Sequence, residues 1–109
     1  MTTFDDFSKL DIRIGTILSV DDFPEARKPA YQLTIDLGEI GIKKSSAQIT
    51  HLYTKDALLG KQVICVTNIG TRTIGSFESE VLTTGFYQSE GAVVLAMPER
   101  AVVNGTKLA

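Results

Sequence analysis

DIRIGTILSV, Asp11 to Val20, decides the fold. Ile12 and Ile14 alternate with polar neighbours, as a half-buried strand requires, until Gly15 breaks the rhythm and Ile17 and Val20 follow. A glycine inside a strand marks a bulge or a sharp bend. The stretch therefore predicts one long first strand, bent at Gly15 and able to serve two sides of a small barrel.

Upstream, Thr3 followed three residues later by Asp6 suits the start of a short helix, with Phe4, Phe7 and Leu10 recurring along one side. Downstream, FPEARKPA (Phe23 to Ala30) is a loop bounded by Pro24 and Pro29, with Arg27 and Lys28 at its tip. AYQLTIDLG then alternates cleanly, Tyr31, Leu33, Ile35 and Leu37 on one face and Gln32, Thr34 and Asp36 on the other. A tight turn at Gly38–Gly41 returns the chain as a third strand, IKKSSAQI. HLYTKDALLG predicts a short helix begun by Thr50 and closed by Gly60. KQVICVTN reads as a fourth, continuously apolar strand, GTRTIGS as a turn-rich connection and SEVLTTG as a fifth strand. GAVVLAM and NGTKL add short extended pieces, with a strong turn signal at Asn104-Gly105. The order predicts an all-β fold, a five-stranded Greek-key barrel of the oligonucleotide/oligosaccharide-binding (OB) type with short helices and terminal extensions.

The 109 residues suit a single domain spanning 1–109 with one modest core. No apolar run approaches the roughly 20 residues that span a bilayer, so no membrane insertion is expected. The acidic opening MTTFDDFSKLD is unlike a secretory signal, which makes a cytoplasmic address the expectation. The net charge of −2 is uneven: residues 1–25 carry −4, residues 26–75 carry +4 and residues 76–109 carry −2. A weakly acidic whole argues against indiscriminate nucleic-acid binding, while the basic middle leaves room for a local anionic partner.

Little points to catalysis. Cys65, the one cysteine, lies in the apolar run QVICV and reads as a buried, unreactive thiol. With a single histidine, His51, the chain lacks the ligands of a usual zinc site, and no cofactor is expected. The acidic pairs Asp5-Asp6 and Asp21-Asp22 project in different directions and lack a polarising partner, and no phosphate-cradling glycine loop is present. The chain is read as a binding protein and not as an enzyme.

Several segments in one order, DIRIGTI, FPEARKPAY, LTIDLG, GIKKSSAQIT, LLGKQVICVTN, SEVL and NGTKL, resemble the CsaA-type export-related chaperones. That family consists of small homodimers built on the tRNA-binding domain found at the ends of some methionyl- and phenylalanyl-tRNA synthetases. The resemblance covers residues 4–108 and implies binding of unfolded or presecretory polypeptides, with a free-standing tRNA-binding protein as the alternative. It points to Lys28 and Pro29, to Ser45, Ser46 and Gln48 on the third strand, to Asn68, and to Ser79 and Glu80. One departure lies at Asn68-Ile69-Gly70-Thr71-Arg72, where relatives commonly follow the asparagine with an aromatic and paired prolines. The change predicts a looser loop with less apolar surface, and Arg72 within it joins the candidate contacts.

The third strand has a chemistry that suits either ligand. Ser45, Ala47 and Ile49 face one way and Ser46, Gln48 and Thr50 the other. Ser45 and Gln48 are expected to meet a partner's main chain, each of whose residues brings one donor and one acceptor. Lys28 is expected as a charge contact, with Arg27, Lys43 and Lys44 as further charge. Taken alone, the same stretch reads as a solvated edge strand. Phe77, Phe86 and Tyr87 suit a core or dimer role, or the lining of an apolar pocket. Apolar Phe4, Phe7, Leu10, Val102, Val103 and Leu108 near the two ends predict a homodimer.

Overall fold

The computed structural model describes residues 1–109 and contains nine strands and two short α-helices. In order these are α1 (Phe4–Ser8), β1 (Ile12–Asp22), β2 (Tyr31–Asp36), β3 (Ile42–Ala47), α2 (Lys55–Leu58), β4 (Gln62–Val66), β5 (Arg72–Ile74), β6 (Phe77–Ser79), β7 (Leu82–Thr83), β8 (Gly85–Tyr87) and β9 (Val93–Leu95). Five strands form the main sheet in the order β3-β2-β1-β4-β7, and β5-β6 and β8-β9 are separate hairpins. The sheet curls into a nearly closed barrel, the OB-type fold that the strand order predicts.

β1 does serve two sides. Residues Ile12 to Thr16 pair with β4, and Thr16 to Asp22 pair with β2. The bulge, however, is not at Gly15: the register passes from Ile17↔Ile35 to Ser19↔Thr34 and leaves Leu18 over. Gly15 answers a different demand. A Cβ there would stand 2.4 Å from Ile35 Cγ2 and 2.7 Å from Leu37 Cδ2, so the missing side chain lets β1 and its neighbours close on the core.

That core gathers Ile17, Leu33, Ile35, Leu37, Leu58, Val63 and Cys65, all essentially sealed from solvent. The clean alternation of β2 puts Tyr31, Leu33 and Ile35 inside, and the Tyr31 hydroxyl donates to the Tyr53 carbonyl at 2.8 Å. The Tyr53 hydroxyl in turn accepts from Leu95 N–H at 3.0 Å. Anchored this way, residues 50–52 form a turn, and α2 starts at Lys55 behind Thr54, whose Oγ1 accepts from Ala57 N–H at 3.2 Å. The expected start at Thr50 is thus displaced by one turn's length. At the N-terminus Thr3 and Asp6 form the reciprocal capping box of α1, at 3.2 and 3.0 Å.

The expected fifth strand is split. Of Ser79 to Gly85, Ser79 ends β6, which folds back on β5 around Gly75-Ser76 with Gly75 at φ +60°, only Leu82–Thr83 joins β4, and Gly85 opens β8. Between β6 and β7 the chain bends inward: Glu80 and Val81 N–H both donate to the Lys44 carbonyl, at 2.8 and 3.3 Å, and Val81 is buried. After β9, the C-terminal segment returns to β1, where Gly105 N–H donates to Ile14 and Leu108 N–H to Ile12, each at 2.8 Å.

Candidate ligand-binding trough

Three adjoining hollows run along one flank of the barrel, and Ser46 and Arg72 line all three. The widest, about 620 Å³, lies between the 24–30 loop and the β5–β6 hairpin, with Arg27, Lys28, Gln48 and Ile74 as further walls. The next, about 390 Å³, opens between the end of β3 and the β7–β8 segment, against Gln48, Leu82, Thr83, Tyr87 and Val93. A third, about 210 Å³, reaches Ser79, Val81 and the 69–71 loop.

Local contacts hold these walls. Phe23 is buried and its ring centre lies 5.2 Å from that of Phe77 on β6, while Lys44 Nζ stands 5.4 Å from the Phe77 ring. Ser76 Oγ donates to Glu25 Oε2 at 3.3 Å. The β5–β6 hairpin is thereby tied to the 24–30 loop, which sets Arg72 across the trough from Arg27 and Lys28. These three cations line the trough and no carboxylate does. At the far end Tyr87 stands 87% exposed on β8, outside the core.

Lys28, Ser46, Gln48 and Arg72 thus come together as the sequence reading expects. Ser45 does not. Its side chain is fully buried, with Oγ donating to the Val81 carbonyl at 2.9 Å and sharing a 2.8 Å bond with Thr83 Oγ1. It points inward with Ala47 and Ile49, so its hydroxyl welds β3 to β7 and meets no ligand from solvent. Asn68 also lies away from the trough and is engaged at both ends. Its Oδ1 accepts from Asp11 N–H at 2.8 Å and its Nδ2 donates to the Lys9 carbonyl at 2.7 Å, which fastens the end of α1 to the barrel.

Ser79 lines the trough and Glu80 an adjoining hollow outside it, and both are occupied. Ser79 Oγ accepts from Ser46 N–H, and Glu80 Oε1 accepts from Lys44 N–H, each at 2.9 Å. Two side chains here replace the ladder that β3 lacks on its outer edge, which protects an otherwise open strand. Tyr87, which the sequence offers as core, dimer or pocket lining, lies on the trough, and Val93 of the β8–β9 hairpin completes the wall there although sequence reasoning did not assign that hairpin to it. The usable signal was Gly85-Phe86-Tyr87 facing Val93-Val94-Leu95 across a turn at Gly91.

A second surface is apolar. Ile12, Ile14, Ile64, Val102 and Leu108 line a cleft of about 250 Å³ beside the C-terminal segment. Phe4 is 79% and Val103 81% exposed, and Phe7 and Leu10 are also open.

Comparison with known proteins agrees with the barrel. Residues 12–107 match the family described as "Putative tRNA binding domain". The crystal structure of the chaperone CsaA from Bacillus anthracis superposes with a TM-score of 0.95 at 46% identity, covering 100% of this chain and 99% of that one. CsaA from Picrophilus torridus gives 0.93 at 49% identity, with both chains covered completely. The methionine–tRNA ligase of Methanococcoides burtonii is 35% identical over 97% of this chain, which spans only 15% of that enzyme's length. The chain belongs to the tRNA-binding domain family, and within it its sequence and barrel match those of the CsaA chaperones.

Proposed function

We propose that this protein is a cytoplasmic, homodimeric chaperone of the CsaA type that holds unfolded or presecretory polypeptides in the trough and catalyses no reaction. The observation that carries this reading is the full-length likeness to two CsaA chaperone structures at 46% and 49% identity. The chemistry of the trough supports it. Ser46 and Gln48 offer donors and acceptors to a main chain, Lys28 and Arg72 offer charge, and Tyr87, Leu82 and Val93 offer apolar contact.

Binding of tRNA is the second reading, favoured by the family match and by the three cations on one flank. One competition experiment separates the two. A labelled unfolded polypeptide is titrated with tRNA, alongside a test of aggregation suppression on the same sample. The chaperone reading expects suppression, and displacement by tRNA if both use the trough. Strong, salt-sensitive tRNA binding with no suppression would replace it with the tRNA reading.

A further inference from the structure

We infer that the trough takes an acidic polypeptide segment in extended form, which adds as a short strand to the open end of the β3 edge. The inference rests on the polypeptide-holding reading above and names the class of segment held.

Lys44, Ser46 and Gln48 alternate along β3 and its continuation, so their main-chain groups point to the edge away from β2. Most of that edge is closed. Lys44 N–H is bonded by Glu80, Ser46 N–H by Ser79, and the Lys44 carbonyl accepts from Glu80 and Val81. The closure stops there. The Ser46 carbonyl and the Gln48 N–H are next in line, and neither is bonded by any group of the chain. The alternation of burial that marks β3 continues past the strand's end, through exposed Gln48 to buried Ile49.

The space in front of those two groups is the hollow of about 390 Å³ between Ser46–Ile49 and Leu82–Gly85. A guest residue there can donate its N–H to Ser46 and accept from Gln48 through its carbonyl. A strand so placed fills the gap between β3 and β7 in the way that edge addition extends other sheets. A nucleic acid has no repeating N–H and C=O pair to match this edge, so the open groups favour a polypeptide. Charge selects further: Arg27, Lys28 and Arg72 line the trough with no carboxylate among them, which fits Asp and Glu side chains on the guest.

The test uses a short synthetic peptide of alternating acidic and apolar residues, its amides methylated one at a time, with binding followed by calorimetry. Methylation should weaken binding about tenfold at the one amide that donates to the Ser46 carbonyl and leave its neighbours unaffected. Exchanging the acids for their amides, or Arg72→Gln in the protein, should weaken it a few-fold. A parent peptide whose binding no single amide methylation weakens overturns the edge pairing and leaves the chaperone reading standing. The same holds if a basic peptide of equal length binds as well, or if a reduced, unfolded client is held while the acidic peptide is not. If tRNA alone occupies the trough and neither peptide nor client binds, the chaperone reading fails and this inference with it.

Discussion

At Gly15 the chain has no room for a Cβ, because Ile35 and Leu37 press against the backbone at less than 3 Å from where one would stand. Gly15→Ala should therefore destabilise by about 1–3 kcal/mol through overpacking, read as a lower midpoint in thermal or denaturant unfolding. Asp11 makes a second prediction. Its carboxylate bonds Arg13 at 2.8 Å and Thr67, and Lys107 lies 3.6 Å away, so the pKa is held below the usual 3.8, chiefly by Arg13. The unfolded chain then takes up this proton first, so the contribution is present above about pH 4 and is lost as pH falls through the lowered folded value. Asp11→Asn should be less stable at neutral pH and lose less stability than the parent between about pH 4 and 2, as measured by denaturant unfolding at each pH. At this scale the sequence was half legible. The break at Gly15 was visible, but a glycine that bends a strand and one that admits a neighbour look alike until the partner strand is in place.

The β3 edge shows the same limit for elements. Alternation placed Ser45, Ala47 and Ile49 on one face correctly, yet residue type suggested a ligand contact where burial made Ser45 a weld to β7. Ser79 and Glu80 could not be read as strand closers either, because their partners are the N–H groups of Ser46 and Lys44, more than thirty residues earlier in the chain. Gly75-Ser76 between Ile74 and Phe77 was a legible hairpin signal, passed over inside a run that also reads as a connection. The closure makes a direct prediction. In hydrogen exchange, Ser79→Ala should speed exchange of the Ser46 amide by about tenfold, and Glu80→Ala should do the same for Lys44, with the β1–β2 amides unchanged. Equal acceleration across the sheet would mean that the seam holds the whole barrel and not merely this edge.

Over the whole molecule, polarity is divided between a basic trough and an apolar end. Phe4, Phe7, Leu10, Val103 and Leu108 leave a hydrophobic area exposed around the cleft beside Ile12 and Val102. Pairing two copies there would remove it from water. Light scattering at micromolar concentration should give twice the 11.8 kDa chain mass, and Phe4→Asp with Val103→Asp should halve it without loss of β-structure. A parent chain that runs as a monomer would sink the dimer. The strand order and the exposed apolar residues near the two ends were legible because both rest on local pattern. The trough was only partly so, since it joins four stretches that meet through the barrel's curvature.

Cys65 gives the barrel a built-in clock. It is the chain's only thiol, fully enclosed, and removal from water pushes its pKa up to about 11. An alkylating reagent therefore finds almost no thiolate in the closed molecule and reacts only with copies caught open. The rate of labelling counts those openings directly, without any probe having to be installed, and a guest seated between β3 and β7 should slow it.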